Sequence, residues 1–141
     1  MPLEADVKSL PVLACLVAGI ALGRLWFSKW AFGPAWLADL GKTEAEMNAN
    51  VRVRAYVTVI LANTASYVLL AVFIASTGTA TILGGLLVGA LCGTAFIAAM
   101  NFVDDAFLNR SVRYSLLTGS FRILQMSVAG TILGGWQNAP F

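Results

Sequence analysis

The chain has 141 residues, of which 59% are hydrophobic and only 11% charged, with a net charge of +2 and a mean hydropathy of +0.81. A soluble domain carries about a quarter charged residues, so this chain cannot cover a globule with polar groups and must turn its surface to lipid. The small net charge and the lack of a Lys/Arg stripe exclude a nucleic-acid binder. The absence of histidine removes the commonest general base, metal ligand and haem ligand.

A helix that crosses a bilayer needs about twenty mostly apolar residues. The hydropathy predicts four, at about residues 10–27, 56–77, 80–103 and 114–136. The expected fold is all-α: one integral membrane domain over residues 1–141, a four-transmembrane-helix bundle with a short interfacial or cytoplasmic helical segment between the first two spans. The first span has Glu4 and Asp6 before it rather than a basic run, and no A-x-A site after it, so it does not read as a cleaved signal. Cys15 and Cys92 lie inside apolar runs and read as small packing residues, not as a disulfide.

The first span ends in a run of aromatic and cationic residues that includes Trp26, Phe27, Trp30, Phe32 and Trp36. Indole rings and long cations suit the boundary between lipid tails and water, so these residues, with Trp136 at the end of the last span, are expected to anchor the chain at the membrane surface. Residues 30–40 should lie in the headgroup layer, broken at Gly33-Pro34. Thr43-Glu44-Ala45-Glu46 fits a capping box, which predicts a helix starting there and running through Arg54 into the second span. In that span Asn63 and Ser66 read as interhelical hydrogen-bonding groups. The polar turn Ser76–Thr79 forces the second and third spans into an antiparallel hairpin.

Glycines recur every four residues at Gly19 and Gly23, at Gly85, Gly89 and Gly93, and at Gly130 and Gly134. In lipid such stripes let two helix backbones approach closely. They are expected to pack the bundle, with at least one stripe facing a second copy or another membrane protein. The last span holds Arg122 about eight residues in, or roughly 12 Å deep. An arginine at the bilayer centre costs about 2.5–3.5 kcal/mol on insertion scales, so it should either snorkel to the surface or pair with Asp104 and Asp105 at the end of the third span. Gln125 lies one turn deeper on the same face. Arg122, Gln125, Asn63, Asp104 and Asp105 are the candidates for contact with a lipid headgroup or an anion.

Cations gather in the first loop, at Lys29, Lys42, Arg52 and Arg54, and in the third, at Arg110 and Arg113. Positive residues stay on the cytoplasmic side. Both termini should therefore lie outside the cytoplasm, in a bacterial inner membrane. No catalytic constellation, metal-ligand set, P-loop or dinucleotide fingerprint occurs, so neither an enzyme nor a cofactor is expected.

Gly23-x-x-Trp26-Phe27-Ser28, then Phe32-Gly33-x-x-Trp36, Leu40-Gly41 and the acidic Thr43–Glu46 stretch resemble the DUF1761 family of small integral membrane proteins. The glycine-rich third span, an aromatic-bearing loop near Phe107 and the ending Ile132-Leu133-Gly134-Gly135-Trp136 extend the resemblance over nearly the whole chain. Arg24, Phe27 and Lys29 depart from the family's usual small residue, tyrosine and proline. The resemblance implies a four-span bundle and brings no activity with it. The expected function is a non-catalytic accessory or assembly subunit, packing by its glycine faces against itself or a larger membrane complex. The alternative is a small oligomeric transporter or channel for an anion or small molecule, built on Arg122, Gln125 and Asn63.

Overall fold

A computed structural model describes residues 9–137, and among them every regular element is helical. The helices are α1 (Ser9–Trp26), α2 (Gly33–Leu40), α3 (Glu44–Asn50), α4 (Val53–Ser76), α5 (Ile82–Cys92), a π-helical turn (Gly93–Ala98), α6 (Ala99–Phe107) and α7 (Val112–Trp136). With the π turn, α5 and α6 form one continuous rod, Ile82–Phe107; this rod, α1, α4 and α7 are long and apolar enough to cross a membrane. The four expected spans are therefore present. Each differs from its predicted bounds by a few residues, the most consequential being the third, which runs one turn further to carry Asp104 and Asp105 on helix. Glu4, Asp6 and Lys8 lie outside the described residues.

The centre of the bundle is α7, which packs against every other span. Its strongest neighbour is α5, and glycine is the reason. A Cβ added at Gly85 would run into the Gly130 carbonyl, and one at Gly130 into the Gly85 carbonyl. A Cβ at Gly134 would stand 2.9 Å from the Gly85 Cα, and one at Gly93 would stand 3.0 Å from the Ile123 Cα. The two stripes thus close on each other within the chain, backbone against backbone, where dispersion between helices replaces the missing hydrophobic drive. The core beneath this seam is Cys15, Tyr67, Leu70, Ile74, Met126, Ala129 and Leu133. Both cysteines are free thiols, and that of Cys15 donates to the Ala129 carbonyl at 3.6 Å.

Two local expectations change. Gly33-Pro34 starts α2 rather than breaking it, since proline's missing N–H and fixed φ suit the first turn of a helix. The capping box at Thr43 is present, with Glu46 N–H donating to Thr43 Oγ1 and Thr43 N–H donating to Glu46 Oε2. The helix it begins stops at Asn50, however. Val51 and Arg52 are extended, and α4 restarts at Val53 as a separate helix. At the far end, Gly78 takes φ +66°, which makes the tight turn from α4 toward α5, and Thr81 caps α5 by accepting from Gly84 N–H at 2.9 Å.

Candidate functional site

The junction after α1 closes by hydrogen bonds that its sequence dictates. Ser28 Oγ donates to the Leu25 carbonyl (2.7 Å), Phe32 N–H to the Trp26 carbonyl (2.9 Å), and Gly33 N–H to the Ser28 carbonyl (3.0 Å). A Cβ at Gly33 would sit 2.6 Å from that Ser28 oxygen, so the reversal needs glycine. The turn brings Trp26 to 4.5 Å from Phe32 and Phe27 to 4.9 Å from Trp36, centroid to centroid. Both layers lean on Phe121 of α7, at 6.2 Å from Trp26 and 5.1 Å from Phe27.

The expected surface anchors therefore divide. Trp30 is 85% exposed and Phe32 46%, whereas Trp26, Phe27 and Trp36 are half-buried in a cluster that clamps α2 onto α7. Trp136 is half-buried at the opposite end of the bundle. A bidentate ion pair reinforces the clamp, Arg113 Nε and Nη2 donating to Asp39 at 2.9 and 2.8 Å. The hydrogen bonds and charge of that guanidinium hold the Asp39 carboxyl below the usual carboxylate range.

One residue beyond Phe121 is Arg122. Its guanidinium neither reaches Asp104 nor Asp105: among the described residues the one ion pair within 4.0 Å is Arg113–Asp39. Instead, Arg122 Nη1 donates to Gln125 Oε1 (3.1 Å), Gln125 Nε2 donates to the Tyr67 hydroxyl (2.9 Å), and the guanidinium lies 5.4 Å from the Phe121 ring centroid. Tyr67 is 1% exposed and Gln125 5%, so this relay runs through the middle of the bundle from α7 to α4. Gly19 on α1 makes room for it, because a Cβ there would stand 2.5 Å from Tyr67 Oη and 3.2 Å from Gln125 Nε2. Gly23 has a looser task, with the nearest atom, Phe121 Cζ, at 3.4 Å.

Two clefts meet at Arg122. The first, of about 690 Å³, opens between α1, α4 and α7 and brings together Arg122, Gln125 and Asn63, with Arg24 and Tyr56 also on its wall. Three residues expected to work together are thus in one cavity. Ser66 is not among them; its hydroxyl donates back to Ala62 of its own helix at 2.9 Å. The second cleft, of about 480 Å³, lies between α6, α7 and the aromatic clamp. It is bounded by Asn101, Asp104, Asp105, Tyr114 and Thr118 together with Phe27, Trp36, Phe121 and Arg122.

The π turn decides which of the two carboxylates is buried at the second cleft. In an unbroken α-helix, three turns beyond Gly93 is about eleven residues, which would place Asp104 on the α7-facing side. The π turn absorbs one extra residue, its end marked by Ala99 N–H donating to Thr94 O five residues back. The inward face passes from Gly93 to Ala98 and on to Asp105. Asp105 is accordingly 9% exposed, and Asp104 points outward. The Asp105 Oδ2 is buried with no hydrogen-bond partner among the described residues, as is Trp26 Nε1.

The chain matches the family described as "Protein of unknown function (DUF1761)" over residues 10–134. The chain belongs to DUF1761. Among curated proteins and solved structures, none is a significant match. In this DUF1761 chain, Tyr67, Phe121, Tyr114 and the Arg113–Asp39 pair are site residues that sequence reasoning passed over. Tyr67 had a signal: it lies one turn from Asn63 in the second span. Phe121 and Asp39 had none, since both owe their roles to contacts distant in sequence. Among the described residues, no group of three or more His, Cys, Asp or Glu side chains gathers to hold a metal.

Proposed function

We propose that this multi-pass membrane protein is a small solute-binding carrier that takes the anionic group of its ligand on Arg122, at the cation-rich end of the bundle. The observation that carries the reading is the Arg122 guanidinium, held by a neutral amide and an aromatic face, facing two clefts and paired with no carboxylate within 4.0 Å among the described residues. A cation placed within a span at this energetic cost marks a binding or transport site by default. Its bidentate fork is matched to carboxylate and phosphate oxygens. The accessory-subunit reading rested on glycine stripes meeting another chain, and in the bundle those of the third and fourth spans meet each other. That favours the carrier reading over it. No bond-making step is assigned to the protein.

The orientation belongs to the same proposal. Lys29, Lys42, Arg52, Arg54, Arg110 and Arg113 all fall in or beside the connections at the end of the bundle where Arg122 opens. In a bacterial inner membrane this end faces the cytoplasm and both termini lie outside. The test is saturable uptake of labelled small carboxylates and of inorganic phosphate into liposomes holding the purified chain. Wild type should show it for at least one of them, and Arg122→Gln should abolish it while eluting as the same particle in detergent. Absence of saturable uptake across the whole set, or full uptake by Arg122→Gln, overturns the carrier reading.

A further inference from the structure

We infer that the ligand is a zwitterion, with its primary ammonium on Asp105 and its acidic group on Arg122. The inference rests on the reading of Arg122 as an anion-binding group and adds the second half of the recognition. Arg122 and Asp105 both line the cleft of about 480 Å³ and form no ion pair with each other. Asp105 is nine-tenths buried, and its Oδ2 has no hydrogen-bond partner among the described residues. A buried carboxylate left unpaired is costly, because it has lost water and gained nothing in return. Arg122 has spent one of its N–H groups on Gln125, and the rest of its five-donor fork remains for a ligand.

A simple anion fits this cleft poorly, since it would meet Asp105 and, at the rim, Asp104. A simple cation would meet Arg122. A molecule carrying both charges a few bonds apart satisfies both ends, its ammonium offering three donors and its carboxylate or phosphate accepting from the guanidinium. The hydroxyls of Tyr114 and Thr118 and the amide of Asn101 supply neutral hydrogen-bonding groups on the same wall, and the rings of Trp36 and Phe121 cover an apolar part. The volume is in the range that small-molecule sites occupy. The π turn supports the assignment, because its effect is to bury Asp105 rather than Asp104 at the cleft wall, and π turns recur at functional sites.

A free amino acid and the phosphoethanolamine headgroup of a lipid share this chemistry, and the experiment separates them. The full chain in phosphatidylcholine nanodiscs is titrated calorimetrically with leucine, with phenylalanine, with the same two molecules lacking the amino group, and with the matching amines. A parallel set of discs contains phosphatidylethanolamine or phosphatidylglycerol, and retention of each lipid by the purified protein is measured. Wild type should bind one zwitterionic probe, free or as phosphatidylethanolamine, at least tenfold more tightly than its deaminated or anionic counterpart. Asp105→Asn should erase that preference and bind the deaminated carboxylate more tightly than wild type does, whereas Asp104→Asn should keep the preference. Arg122→Gln should lose both classes. The Asp105 variant relieves an unpaired buried charge, so its thermal midpoint should equal or exceed that of wild type, which keeps a binding loss from being a folding loss. Equal wild-type affinity for zwitterion and deaminated analogue, or an unchanged preference in Asp105→Asn, overturns the zwitterion assignment and leaves the carrier reading standing. Failure of every anionic and zwitterionic probe to bind overturns both.

Discussion

Gly19 and Gly23 are interchangeable in the sequence, two ends of one G-x-x-x-G step, but the structure gives them different work. Replacing either with alanine adds the same intrinsic helix preference, up to about 1 kcal/mol, so their difference isolates what the new methyl meets. At position 23 the nearest atom is an aromatic carbon at 3.4 Å, an ordinary contact. At position 19 it is the Tyr67 hydroxyl at 2.5 Å, at the end of a rigid ring that is 1% exposed and has nowhere to swing. Overpacking of this kind costs about 1–3 kcal/mol. Displacing the ring also breaks the bond from Gln125, and an interhelical hydrogen bond in a membrane averages about 0.6 kcal/mol. Gly19→Ala should therefore be less stable than Gly23→Ala by about 2–3 kcal/mol, read from equilibrium unfolding in mixed micelles. Adding Tyr67→Phe to Gly19→Ala removes the clashing oxygen and leaves the ring carbon behind it at 3.7 Å. The double variant should recover most of the overpacking cost, the Gln125 amide nitrogen at 3.2 Å still standing close, but not the hydrogen bond. If the two alanine variants agree within about 0.5 kcal/mol, the scale below which distant sites are indistinguishable, or if Tyr67→Phe restores nothing, the close approach at Gly19 does not organise the relay.

The Asp39–Arg113 pair makes the docking of α2 acid-sensitive. The Asp39 carboxyl is lowered by the hydrogen bond and then the charge of Arg113, so its stabilisation is whole at neutral pH. It fades as pH falls through the ordinary carboxylate value of 3.8 and is gone below the lowered folded value. Quenching of Trp36 fluorescence on acidification should follow that course in wild type and be absent in Asp39→Asn. Thr43→Ala removes the reciprocal cap of α3 and should cost that helix about 1 kcal/mol, seen as faster amide exchange over residues 44–50 with α4 and α7 unchanged; equal exchange rates would mean that the box holds nothing. Gly89→Leu drives a large side chain at the Met126 carbonyl and should prevent α5 from seating on α7. A folded, monodisperse Gly89→Leu protein would show that the seam does not hold the bundle. A cysteine at Thr79 should react with an impermeant reagent added outside intact cells and one at Ala45 should not, and the reverse labelling overturns the orientation.

Much of the fold is legible because lipid imposes a simple rule. A backbone crossing hydrocarbon must satisfy its own polar groups, so length and hydropathy alone locate α1, α4, the α5–α6 rod and α7. Local rules also held where they are wholly local. The capping box needs just Thr43 and Glu46, three residues apart, and it formed. Where an element depended on what lies across the bundle, sequence reasoning fell short. The glycine stripes announced close helix contact but not their partner, because G-x-x-x-G states an approach and leaves the facing backbone unnamed. The break at Val51 and Arg52 was unmarked by proline or glycine, and charge and hydropathy alone gave no reason to stop α3 before α4.

The site was legible as an inventory and illegible as an arrangement. Arg122, Gln125 and Asn63 could be selected because polar groups in a span are rare, and they do share a cleft. The carboxylates could not be sorted, since Asp104 and Asp105 are neighbours and periodicity from the glycine stripe favours Asp104. A single extra residue, absorbed where Gly93 presses on Ile123 and the Arg122 carbonyl, reverses that choice. The π turn is therefore level with the arginine whose cleft it completes. A glycine permits the close approach, the turn re-aims the helix below it, and the carboxylate so buried has an oxygen with no partner among the described residues. Deleting one residue within Gly93–Ala98 restores an unbroken α-helix and leaves Asp105 eleven residues beyond Gly93, so Asp105 should stay buried and Asp104 exposed. A cysteine placed at each position should therefore keep its labelling in the deletion variant, and an exchange of the two would mean that the π turn does not absorb the extra residue.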